Sequence, residues 1–269
     1  VSEVLGFTLV FAVILSMVAL VSVVGFGDLD DARQFEQTNN AERAFDVLAD
    51  NMDDVLLRGA PSRATEVKLT DSTVYFTDQV SINVTGTDAS GNDFAREYSY
   101  EPLVYEGESG TRIIYSAGAV FRAQREGGRV VRDPSFVLER DRVHIPMAVT
   151  QSRESTSIGG STVRVRAQAA LRNLDLHETG GVSDVTINVT SPRRDLWRAY
   201  FERQPAVDSC AIDDDSGSVL CDLADPERLS IQEVRMTMSF VREGQSMSMS
   251  MRFSVTWRNV RYWSPVVSP

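Results

Sequence analysis

Lysine is almost absent from this chain. Lys68 is the only one in 269 residues, so the 27 basic residues are nearly all arginine, and they face 38 acidic ones. The formal net charge of -11, with no Lys/Arg stripe standing out from the acid excess, excludes nucleic acid as a partner. An acidic surface without lysine points to a halophilic protein. In molar salt the Debye length falls to about 3 Å, so self-repulsion is screened while the surface stays hydrated.

Catalytic and metal-binding patterns are also lacking. The two histidines, His144 and His177, fall in separate segments, and there is no nucleophile elbow, phosphate loop or paired Cys/His spacing. The expectation is therefore not an enzyme, and no cofactor. Acid-rich stretches at 88–93 and 213–218 offer oxygens to Ca²⁺ but lack the closing bidentate Glu of an EF-hand, so they read as solvated turns. Cysteine is limited to Cys210 and Cys221, in an Asp/Ser/Gly-rich stretch. In an exported protein such a pair reads as a local disulfide worth about 3 kcal/mol, the alternative being two free thiols.

Two further absences shape the N-terminus. No charged residue lies between Glu3 and Asp28, so 4–27 is an uncharged, mostly apolar run long enough for a bilayer's hydrocarbon core. The first proline is Pro61, and Gly59-Ala60-Pro61 is a helix stop. One helix over 1–60 is predicted, roughly 85 Å long at 1.5 Å per residue. Up to Gly27 it is apolar on all sides. Beyond that, Ala41, Phe45, Leu48, Met52 and Val55 recur at helical spacing among acids and arginines, so one face should pack on a head while the first half projects. Gly25 and Gly27 flank Phe26, where they either permit a bend or mark a membrane-interface boundary.

After Pro61 the period changes to two. Val80, Ile82 and Val84, then Val163, Val165, Ala167, Ala169 and Leu171, then Val185, Ile187 and Val189 alternate with polar residues and predict half-buried strands. Val234, Met236, Met238 and Phe240 are expected to form a hairpin with Met247, Met249, Met251, Phe253, Val255 and Trp257, the methionines filling core. A short helix is expected over 191–203, with Ser191 as N-cap and Pro192 as its first residue. The fold class expected is α+β: a long N-terminal α-helix (1–60, with 1–27 as a membrane anchor or core-forming segment) followed by a β-rich, sandwich-like globular head (61–269).

The opening Val-Ser-Glu-Val-Leu-Gly-Phe, followed at once by an apolar helix, resembles the mature N-terminus of archaeal type IV pilins and archaellins. The resemblance covers roughly the first 30 residues. It implies that a prepilin peptidase cuts ahead of Val1, consistent with a sequence that starts on Val rather than Met, and that the apolar segment becomes the core of a helical filament. The implied partners are identical subunits, the membrane before assembly, and the peptidase and pilus machinery. The implied place and use are a cell-surface filament and adhesion. The assembly residues on this reading are Val1, Glu3, Gly6, Phe7 and Phe11, with Ala12, Ser16, Ala19 and Ser22 aiding close packing.

Glu3 has a reading of its own. A lone carboxylate at the head of an apolar helix is costly unless paired, and the α-amino group of Val1 in this or a neighbouring subunit is the obvious partner; otherwise it is a capping acid among lipid headgroups. The sequons at Asn83 and Asn188 place both asparagines on the polar face of predicted strands, as surface N-glycosylation would require. The alternatives are a minor pilin or pseudopilin, and a single-pass membrane-anchored extracellular binding module.

Overall fold

The structure, a computed structural model, describes residues 2–125, 127–153, 157–160 and 162–242. Helix α1 (Ser2–Leu56) runs unbroken for 55 residues, about 80 Å at 1.5 Å per residue. Its stop is built by Gly59, whose φ of +78° lies in the left-handed region, and by the Ala60 N–H, which returns to the Asp54 carbonyl at 3.0 Å. The last turn of α1 holds no basic residue of its own. Arg172 supplies that charge from a distant strand, donating to the carbonyls of Val55, Leu56 and Ala60 at the negative end of the helix.

Three sheets and a short helix make up the rest of the described residues. The first has the order β1-β12-β16-β10-β9, from β1 (Ser62–Lys68), β12 (Thr162–Thr179), β16 (Arg228–Arg242), β10 (Arg142–Ser152) and β9 (Val137–Leu138). Its β10–β16 pair is parallel and its other pairs antiparallel. The second, antiparallel throughout, has the order β11-β2-β5-β6-β7-β8: β11 (Ile158–Gly159), β2 (Ser72–Phe76), β5 (Leu103–Gly107), β6 (Arg112–Ser116), β7 (Ala119–Gln124) and β8 (Gly127–Arg132). The third has the order β14-β15-β13-β3-β4: β14 (Val207–Asp213), β15 (Ser218–Leu223), β13 (Ser183–Thr190), β3 (Val80–Thr87) and β4 (Asp93–Tyr100). Helix α2 (Arg194–Phe201) packs Leu196, Trp197, Tyr200 and Phe201 inward.

These layers enclose two cores, and the first sheet serves both. Successive residues of a strand point to opposite faces. In β16, Leu229 and Ile231 enter a core shared with the third sheet and α2, while Val234, Met236 and Met238 enter another, built around the second half of α1.

The described residues are therefore mostly β, in three sheets. This overturns the expected α+β fold of a long N-terminal helix followed by a separate sandwich-like head. A sheet with apolar residues on both faces needs cover on both, which two sheets alone do not supply. The second half of α1 provides part of that cover, with Phe45, Met52 and Val55 at 0% exposure, so it belongs to the β-rich body.

Three local expectations also change. The short helix starts at Arg194 rather than at Pro192, because the Ser191 Oγ accepts the Arg193 N–H and holds a turn ahead of it. In β12 the alternation holds for Val163, Val165 and Ala167, then fails: a register shift between Ala169 and Leu171 leaves Leu171 46% exposed. The expected hairpin on Val234 to Phe240 is displaced, since through Met238 the two edges of β16 are taken by β12 and β10. The proposed partner strand, 247–257, lies outside the described residues.

Candidate assembly surface

Among the described residues, nothing covers the apolar side chains from Val4 to Val21 in the first half of α1. Its large apolar side chains that the structure describes between Val4 and Val21 are exposed, from 44% at Val13 to 74% at Phe7. They occupy nearly consecutive positions and so cover the whole circumference of the helix. Phe7 and Phe11, one turn apart, stack with ring centroids 6.2 Å apart.

The polar residues of this segment offer little to water. Thr8 donates its hydroxyl to the Val4 carbonyl at 2.7 Å, and Ser16 donates to Ala12 at 2.8 Å, so both donors are satisfied within the helix. Gly6 has open space where a Cβ would be. A glycine inside a helix costs about 1 kcal/mol relative to alanine, and no contact among the described residues repays it at Gly6. Gly6, Phe7 and Phe11 thus share one surface, whereas Val1 and the side chain of Glu3 lie outside the described residues.

The second half of α1 is held by two parallel stripes. Ala41, Phe45, Leu48, Met52 and Val55 are buried against the first two sheets. Beside them Glu42, Asp46, Asp50 and Asp53 meet arginines of β7 and β8. Arg129 reaches Glu42 at 2.6 Å, with Arg122 on the same carboxylate at 3.4 Å, and Arg132 reaches Asp46, Asp50 and Asp53 at 3.0, 2.7 and 3.0 Å. Burial pushes the Asp53 carboxyl above the ordinary aspartate range, against the hydrogen bonds from Ser135 and Arg132. This acidic stripe was missed in the sequence, although its spacing of four, four and three is readable there.

The remaining predicted residues sit away from that surface. Cys210 and Cys221 lie directly opposite one another on β14 and β15 and form a disulfide, which staples the edge strand of the third sheet. Asn83 and Asn188 also lie directly opposite one another, on the adjacent strands β3 and β13. Both are half-buried rather than freely exposed, and each has a buried Oδ1 without a partner among the described residues. Directly opposed side chains start about 5 Å apart at Cβ, so a glycan on one crowds the other.

His144 shares a 2.8 Å hydrogen bond with Ser230, and burial, aided by Arg142, pushes its pKa down; His177 is exposed on β12. The acidic turns are closed by their own chain: Asp88 accepts from the Ser90 and Asn92 N–H groups, and Asp213 from those of Asp215 and Ser216. Among the described residues no group of three or more His, Cys, Asp or Glu is placed to hold a metal ion, and no helix is long and apolar enough to cross a membrane.

A family model described as a family of unknown function (DUF7289) matches residues 1–239, and the chain belongs to that family. No curated protein and no solved structure matches it.

Proposed function

We propose that this member of the DUF7289 family is a structural subunit of an extracellular, type IV pilus-like filament, polymerising through the apolar first half of α1. The observation that carries the reading is the exposure of the described apolar side chains from Val4 to Val21 on a helix whose second half is buried in the body. Such a surface is satisfied by lipid or by copies of itself. Identical subunits joined through a heterologous contact of this kind form an open helical filament unless the rotation closes.

Two details favour helix packing as the final state. Thr8 and Ser16 leave no free hydroxyl donor on the surface, and Gly6 opens space that only a neighbouring molecule can use. The subunit waits in the membrane, and growth of the fibre exchanges lipid contacts for helix contacts. Its body then faces outward, for surface adhesion.

Glu3→Ala tests this reading, with filaments sheared from the producing cells and the membrane fraction assayed beside them. A polymerising subunit loses assembly yet still reaches the membrane. Unchanged filament yield removes Glu3 from assembly. Absence of the unaltered chain from every fibre replaces the reading with an anchored module.

A further inference from the structure

The turn between β5 and β6 and the end of β7 border an open cleft of about 790 Å³, lined among others by Glu106, Ser109, Thr111, Arg112, Arg125 and Arg193. A neighbouring cleft of about 260 Å³ is lined largely by apolar groups, including Tyr75, Pro102, Ile114, Phe121 and Pro192. Arg112 and Arg193 line both, so the two clefts adjoin, one basic and the other with an apolar side, and are taken together as one groove. On a chain of net charge -11, the larger cleft's three guanidiniums against one carboxylate, Glu106, make a local reversal of sign, and Asp78 of the smaller cleft brings the two together to three against two.

The groove is braced from within. Glu106 accepts from Arg112 at 2.8 and 3.0 Å on one oxygen and from the Tyr75 hydroxyl at 2.7 Å on the other, which fixes where Arg112 points. Gly110, at a φ of +75°, turns the chain so that Ser109 and Thr111 bring their hydroxyls within 3.1 Å of each other at the rim. Among the described residues Arg125 and Arg193 make no ion pair, and a guanidinium fork suits a bidentate oxyanion. The larger cleft has the volume of a small-molecule site, roughly 300 to 1,000 Å³.

We infer that this groove binds a small acidic sugar. Its carboxylate or sulfate is held by Arg125 and Arg193, its hydroxyls by Ser109, Thr111, Gln124 and Glu106, and the apolar face of its ring lies toward Tyr75 and Pro192. A long apolar ligand would leave the larger, polar end unused, and a bare inorganic ion would leave the apolar end unused. The inference stands apart from the filament reading, because every residue it uses is in the β-rich body.

The test is titration calorimetry on the full chain in detergent micelles at fixed salt, with glucuronate, galactose 6-sulfate and glucose as probes. At least one anionic sugar binds, glucose binds about tenfold more weakly or not at all, and Arg125→Gln combined with Arg193→Gln weakens anion binding by about tenfold or more. The order of glucuronate and galactose 6-sulfate identifies the preferred oxyanion. No binding by either anion, equal binding of glucose, or unchanged binding in the double variant overturns the inference. The unfolding temperature is read alongside; if the double variant unfolds early, Arg125→Gln alone, at an exposed position, decides.

Discussion

Residues 4–21 and 41–56 belong to one helix and live in opposite surroundings. Phe7 and Phe11 are 74% and 52% exposed, and Phe45 is 0% exposed. The second half is kept in place by apolar burial on one stripe and arginine pairing on the next. The first half keeps its helical hydrogen bonds, but from Val4 to Val21 its described apolar side chains gain no burial among the described residues, and tertiary packing supplies most helix stability in proteins. A continuous helix can thus be part of a core at one end and an uncovered surface at the other. The proposed filament gives the uncovered end its cover in copies of itself.

The sharpest way to break this comparison is to truncate one aromatic in each half. Phe45→Ala should cost about 3 to 5 kcal/mol in denaturant unfolding followed by tryptophan fluorescence. Phe11→Ala should leave the same transition within about 0.5 kcal/mol while lowering the yield of sheared fibre. Equal costs in the two halves would end the distinction. Next in size is replacement of both Cys210 and Cys221 by serine, which should cost about 3 kcal/mol for a loop of this length. That loss should appear in body unfolding and leave contacts between apolar half-helices untouched.

The junction offers a smaller effect. Arg172→Met removes hydrogen bonds to three carbonyls at the end of α1 and should cost about 1 to 3 kcal/mol, read by the same unfolding assay. Two carboxyls of the body then give opposite pH dependences. Asp53, raised chiefly by burial, holds its proton longer folded than unfolded, so its contribution is present at low pH and lost as pH rises through the folded value. Burial works against Glu106 too, but Arg112 and Tyr75 hold it below the ordinary range. Its contribution is present above that range and lost as pH falls through the folded value. Urea midpoints across about pH 3 to 8 should show Asp53→Asn removing part of the decline toward neutral pH and Glu106→Gln part of the acid decline.

Gly6→Ala should disturb body stability least. With open space at its Cβ position it should leave body unfolding unchanged and raise local helicity, yet alter filament packing. Fibres of unchanged symmetry and stability would remove Gly6 from the assembly surface.

How much of this was readable depended on the kind of signal. Ala41, Phe45, Leu48, Met52 and Val55 announced a buried helical stripe by spacing alone, and Val80, Ile82 and Val84 a half-buried strand. The number of sheets was not readable. Ile231 and Val234 face different cores, and a period-two pattern cannot say that both faces of a sheet are covered. The acidic stripe at 42, 46, 50 and 53 was visible as a repeat, but nothing local tied it to Arg122, Arg129 and Arg132, about 80 residues later. The arginine groove was invisible for the same reason, since Arg112, Arg125 and Arg193 converge only through the strand order of the second sheet and the placement of α2.

The most direct measurement is cryo-electron microscopy of filaments sheared from the producing cells, with their main protein identified by mass spectrometry. The account predicts that this chain dominates the fibre and that residues 4–21 of neighbouring copies pack against one another along its axis. Fibres without this chain, or fibres whose core is made of the β-rich bodies with 4–21 outside it, would contradict that claim.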